Sequence, residues 1–343
     1  MIISCNGDNG LMQLSQIKLY FSSSPKVVGI FAAVVTVFIW TSFILLARAS
    51  ADESRGGVLN PFDLAFCRIF GSAIILLPLG RLMVLRDRAK GEKNSCLFGF
   101  SPLPLGFTLV AGLFAGLLQP LLVYNSFVFA PAVHASVLLP GSLPMWTALL
   151  AFLILGERLT RWRVLSLSLI FCGVGLVGGQ SLLHALDGGD TWKGDLLMIM
   201  GSICWATYSV LVRKHRVEAV RATIALATFA FILYVPAYLA LTAGDWKSSR
   251  LLDASWTEIA FQMIAQGWCT VVIAGIAFTK MISYFGPVRS TMITALVPGL
   301  SALGAVVLLG EPMGWNVVVG LILVTLGILF GVRVLSQRMV NGK

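Results

Sequence analysis

Charge is scarce in this chain of 343 residues: Asp, Glu, Lys and Arg make up only 12% of it, against roughly 25% in a soluble domain. Acid is scarcer than base, with 15 Asp and Glu against 25 Lys and Arg. Histidine occurs only three times. The six cysteines (Cys5, Cys67, Cys96, Cys172, Cys204 and Cys269) form no C-x-x-C pair and no metal-ligand spacing. There is no H-E-x-x-H, no G-x-S-x-G and no Asp-rich motif. Too little polar sequence is present to build a soluble basic face, so the formal +10 charge does not point to nucleic acid. The missing motifs leave no metal site and no cofactor to expect, and they make an intramembrane enzyme the weaker alternative. Such an enzyme needs a nucleophile with a base, paired carboxylates or a metal set.

What is present is apolar: 57% of residues are hydrophobic, with 21 Phe and 9 Trp. That excludes a disordered chain. Ten segments are long enough to cross a bilayer, which takes about 20 mainly apolar residues. They run over 27–47, 61–83, 104–128, 131–155, 161–180, 194–212, 220–242, 257–280, 287–309 and 313–334. Pro78, Pro120, Pro140, Pro144, Pro236 and Pro298 fall inside them, which neighbouring helices in lipid accommodate. A β-barrel would show alternating segments about ten residues long, and these runs do not alternate. The fold expected is an all-α polytopic membrane protein.

Residues 1–26 lack a basic stretch leading into a small-residue cleavage site. They read as a cytoplasmic tail, with Met1 or Met12 as its start. With the N-terminus inside, segments on the cytoplasmic side hold 19 of the 25 basic residues. The opposite side holds five: Arg48, Arg55, Lys193, Lys247 and Arg250. The positive-inside rule then puts both termini, including the tail 336–343, in the cytoplasm of a cell (inner) membrane protein. Arg68 remains, inside the second span and on neither side.

The halves 27–180 and 194–335 resemble each other at constant offsets. Gly29, Trp40 and Arg48 match Gly194, Trp205 and Arg213. Pro144, Gly156, Glu157 and Gly173 match Pro298, Gly310, Glu311 and Gly327. Between them, Phe129-Ala130-Pro131 parallels Phe285-Gly286-Pro287. Five spans per half is an odd number, so the repeats are expected to be inverted, with a cavity between them near the midplane.

At these residues the chain resembles the drug/metabolite transporter superfamily, in its EamA-type branch. The resemblance rests on the Gly29–Trp40 spacing, the run Pro61-Phe62-Asp63-Leu64-Ala65-Phe66-Cys67-Arg68, and the endings Gly156-Glu157 and Gly310-Glu311. It implies a ten-helix carrier of the inner membrane, often an exporter of amino acids or related metabolites. The second half has no counterpart of Arg68, so any role of that residue is asymmetric. The small drug–proton antiporters that resemble one half use a Glu in the first span, and residues 27–47 contain no acid.

Arg68 lies about 10 Å along the second span at 1.5 Å per residue. It reads either as a cation for an anionic substrate group or a gate pair with Asp63, or as an Arg that snorkels or caps carbonyls to lock the fold. Trp40 and Trp205 sit mid-span, away from the interfacial belt, and suit either a cavity wall or core packing. Gln119, Gln262 and Gln266 are polar at membrane depth, with Tyr124, Asn125, His134, Tyr208 and Tyr284 near the same helices. Each singly reads as helix glue, and together they read as a wet cavity. His134, Lys280, Glu157 and Glu311 read as structural, the two acids as helix-end turns. Gly175/Gly179 and Gly327/Gly331 allow close helix contact. The function expected is a secondary transporter of a small-molecule substrate such as an amino acid. A multidrug or other organic-solute efflux carrier is the alternative, and both a monomer and a homodimer fit.

Overall fold

A computed structural model describes residues 25–51, 58–91, 95–157, 160–243, 249–294 and 296–341. The tail read over 1–26 lies almost wholly outside the described residues. Ten helices follow one another: α1 Pro25–Ala51, α2 Pro61–Ala89, α3 Leu105–Phe129, α4 Ala132–Leu155, α5 Arg161–Ala185, α6 Thr191–Lys214, α7 Ala219–Ala243, α8 Trp256–Phe285, α9 Pro287–Leu309 and α10 Trp315–Asn341. The first nine are long and apolar enough to cross a bilayer, and α10 contributes an apolar stretch over Trp315–Gly331. Ten crossings return the chain to the face on which it begins, here called the termini face. The opposite one is the far face.

Helix ends follow from local chemistry. Asn60 caps α2, its side chain accepting from Phe62 N at 2.8 Å and Asp63 N at 2.9 Å. Asp63 reaches back to Asn60 N at 3.1 Å, which closes a capping box. The matched Gly156 and Gly310 adopt left-handed φ of 68° and 61°, which L-residues other than glycine resist. The next amide then folds back in the same way in both halves, Glu157 N to Ala151 O at 3.3 Å and Glu311 N to Ala305 O at 3.2 Å. Two elements run furthest past their spans. Helix α2 continues past 83 to Ala89, where Asp87 pairs with Arg221 of α7. Helix α10 continues through the segment read as a tail, to Asn341.

Contacts between helices come in matched sets. Helices α3 and α6 pack together as α8 and α1 do, and α4 lies on α6 as α9 lies on α1. Helix α2 packs along its counterpart α7, and α5 along α10. The α5/α10 seam is close because Gly173 and Gly327 face the partner backbone: a Cβ at Gly173 would lie 2.6 Å from Gly320 O, and one at Gly327 would lie 2.7 Å from Ser166 O. Gly175 and Gly179, expected at such a seam, have open space around them. The seam uses the glycines of the repeat match instead of a G-x-x-x-G pair on α5.

Helices α3 and α8 each widen into π-helical turns, over Gly112–Leu118 and Met263–Ala274. Helix α4 does the same around Pro140, over Val137–Gly141. Such turns often mark functional sites, because they re-aim side chains within a membrane helix.

Candidate functional site

At the centre of the bundle is a cavity of about 50 Å³. Trp40, Phe43 and Ile44 of α1 line it, with Arg68 of α2, Gln119 of α3, Leu139, Pro140 and Leu143 of α4, and Ser202 and Trp205 of α6. Thr270 of α8 and Val297 of α9 close it. A second cavity of about 20 Å³ shares Arg68 and Trp205 and continues past Ser72 and Gly275. From the helix directions it extends toward the termini face.

The matched tryptophans meet here. Trp40 and Trp205 stand edge to face with ring centroids 5.8 Å apart, and each lies against Phe278, at 4.8 Å and 5.8 Å. One aromatic from each repeat therefore forms a shared wall, the geometry in which ring pairs attract. The Arg68 guanidinium lies over the Phe43 ring, 5.5 Å from its centroid. Phe43 sits three residues after Trp40, one turn further along the same helix face.

Four of the eleven sequence candidates, Trp40, Arg68, Gln119 and Trp205, line the cavity. Three of them are more than nine-tenths buried, Arg68 at 6%, Gln119 at 7% and Trp205 at 9% exposure. All three carry an unpartnered atom: Arg68 Nη1, Gln119 Oε1 and Trp205 Nε1. Buried polar atoms without partners are rare because each costs about 1–3 kcal/mol. Two donors and one acceptor thus stand without a partner on residues that line the cavity.

Three more candidates form a chain beside it. The Tyr124 hydroxyl donates to Gln266 Oε1 at 3.0 Å, and Gln266 Nε2 donates to Gln262 Oε1 at 3.3 Å. Gln262 Nε2 then donates to Ser50 Oγ at 2.7 Å and Glu258 Oε1 at 2.8 Å, near the far face. The other four are apart from the cavity lining. Asn125 donates to Leu121 O of its own helix at 2.8 Å. His134 Nδ1 lies 2.9 Å from Asp195 Oδ1. Tyr208 bonds Thr279 at 3.0 Å, and Tyr284 is 41% exposed.

Asp63, weighed as a gate partner for Arg68, is fully occupied elsewhere. Its carboxylate accepts from Tyr238, from Ser249 Oγ at 3.0 Å and from Arg250 N at 3.0 Å, besides Asn60. It ties α2 to the far end of α7. Sequence reading missed Phe43, Ser202 and Thr270 as lining residues. Phe43 and Ser202 were reachable as one-turn neighbours of Trp40 and Trp205. Thr270 was not, since the π-turns of α8 shift its register.

The EamA-like transporter family model matches residues 27–179 and again 192–333. The chain belongs to the EamA-like transporter family. Among its relatives is YyaM of Bacillus subtilis (strain 168), named as an uncharacterized transporter, 27% identical over 229 residues that cover 64% of this chain and 72% of that one. An uncharacterized transporter of Clostridium kluyveri is 21% identical over 296 residues, 83% of this chain and 90% of its own. A crystal structure that is 21% identical superposes with a TM-score of 0.55, covering 90% of this chain and 96% of that one, and shows the same fold. This EamA-family protein is thus a multi-pass membrane transporter. Its two family matches fall on the two halves that share the Trp and Gly-Glu repeats.

Proposed function

We propose that the protein is a secondary carrier of the cell membrane, with cytoplasmic termini, that exports a small carboxylate-bearing metabolite such as an amino acid. Transport runs by alternating access between two oppositely oriented repeats. The observation that carries the substrate reading is the set of unpartnered atoms around the cavity, Arg68 Nη1, Trp205 Nε1 and Gln119 Oε1. A substrate carboxylate satisfies the two donors, and charge-assisted bonds to Arg are the stronger kind. An amine or hydroxyl on the substrate donates to Gln119. Trp40, Trp205 and Phe278 give ring faces to its apolar portion. The matched packing of α3 on α6 and α8 on α1 supports the repeat symmetry that alternating access uses. The outward direction rests on the family resemblance.

Efflux from proteoliposomes loaded with a panel of amino acids, with and without an imposed proton gradient, tests this reading. Release of at least one member above empty-liposome leakage is expected, and release of none refutes the amino-acid assignment. A second reading, efflux of broader organic solutes, draws on the apolar and aromatic character of the lining. It predicts that neutral aromatic solutes leave as fast as carboxylates.

A further inference from the structure

A charged latch closes one end of the molecule, and it is built from residues that occur twice in the chain. On the far face Glu311, at the turn between α9 and α10, is 8% exposed. Its Oε1 accepts from Arg48 Nε at 2.9 Å and from Ala132 N at 3.2 Å, and its Oε2 accepts from Val133 N at 3.1 Å. Arg48 Nη1 also donates to Phe127 O at 2.8 Å, at the end of α3. One carboxylate thus caps the N-terminus of α4 and is bridged to the end of α1, drawing elements of both repeats together where the helix dipole favours a negative charge.

Every part of this latch has a counterpart at the termini face. Glu311 matches Glu157, Arg48 matches Arg213, and the Phe129-Ala130-Pro131 start of α4 matches the Phe285-Gly286-Pro287 start of α9. The matched amides are those of Val288 and Arg289. There no ion pair joins Glu157 to Arg213 among the described residues. The Glu157 side chain is 39% exposed, and its carboxylate meets only Arg163, at 3.5 Å, among the described residues. Arg213 is exposed and forms no ion pair among the described residues. The cavity extends from Arg68 toward this same unlatched face.

We infer that Glu311–Arg48 and Glu157–Arg213 are two latches that close in turn, and that the structure is the state with the far face latched. In the opposite state Glu157 caps the first turn of α9, Arg213 bridges it to the repeat interface, and Glu311 releases α4. This rests on the alternating-access reading above and names the residues that make it two-state. Each reversal exchanges one set of charge-assisted hydrogen bonds for an equivalent set, so the two end states stay close in free energy, as a bistable element requires.

Hydrogen–deuterium exchange of the full-length protein in lipid nanodiscs, read by mass spectrometry, tests the latches without any transported solute. Glu311→Gln is expected to speed exchange over 132–136 by about tenfold or more, since it weakens two charge-assisted bonds, and to slow exchange over 288–293. Arg213→Gln removes an exposed charge without an ion pair here, so the fold persists. It is expected to keep 132–136 at least as protected as in the wild type and, combined with Glu311→Gln, to abolish the slower exchange over 288–293. Arg48→Gln keeps the carboxylate cap and serves where Glu311→Gln fails to fold, with the same direction of change. Faster exchange over 132–136 without slower exchange over 288–293 overturns the coupling of the latches. Slower exchange over 288–293 that persists when Arg213→Gln is combined with Glu311→Gln overturns the role of the second one. A failed amino-acid panel leaves these exchange results standing, so the two readings fail separately.

Discussion

Replacing Arg68 by Gln separates a substrate anchor from a structural cation. The guanidinium is 6% exposed, stacks on Phe43 and leaves Nη1 without a partner. An unpaired buried charge weakens the empty protein, so removing it is expected to leave Tm in detergent unchanged or raised. Binding behaves oppositely. A carboxylate at about 4 Å from the guanidinium gains about 4 kcal/mol at an effective dielectric of about 20. Desolvation of both ions returns part of that, and hydrogen bonds to charged groups leave a net of about 1.5–3 kcal/mol. Arg68→Gln is therefore expected to raise KM for a carboxylate substrate roughly 10- to 150-fold. KM for the corresponding amide should change little. Arg68→Lys keeps the charge without the planar fork and should fall between. Proteoliposome flux of a carboxylate and its amide, paired with thermal unfolding of each variant, reads both quantities. A large drop in Tm, or equal losses for carboxylate and amide, refutes the anchor and makes Arg68 a residue that holds the fold.

The α5/α10 seam gives a second test. Gly173→Leu drives a side chain into the Gly320 carbonyl and is expected to cost about 1–3 kcal/mol, while Gly175→Ala, which has nothing within 4 Å, should be neutral in the same thermal unfolding assay. Asp63→Ala strips acceptors from Tyr238, Ser249 and the Arg250 amide. It should cost about 1–3 kcal/mol and speed limited proteolysis near 249–255, because the carboxylate that ties α2 to the end of α7 is lost. Gln266→Leu removes the acceptor of the Tyr124 hydroxyl. About 1–2 kcal/mol of destabilisation is expected, with Tyr124→Phe in the same background restoring most of it, as a double-mutant cycle would show.

Part of the candidate site was legible in the sequence. Trp40 and Trp205 stood out as matched mid-span aromatics, and Arg68 as the single basic residue off the topology map. Both expectations rest on cost, since a charge or an indole deep in lipid needs a neighbour. The Gly-Glu endings were legible as turns, but their use was not. Glu311 finds its partners Arg48, Ala132 and Val133 more than 170 residues away in sequence, and no local pattern announces that. The pairing of Asp63 with α7 in place of Arg68 was hidden in the same way.

By itself, then, the sequence determined the solvent, the crossings and the duplication, because twenty-residue apolar runs, basic loops and repeated Gly-Glu and Trp positions follow from chain chemistry alone. Tertiary structure decided which faces meet. In a water-soluble helix the apolar stripe marks the inward side, but lipid-facing and protein-facing surfaces here are equally apolar, so sequence leaves each helix free to rotate. Packing removed that freedom. It turned Gln119 toward the cavity and Tyr284 away, chose Gly173 over Gly175 for the seam, and latched Glu311 while leaving Glu157 exposed.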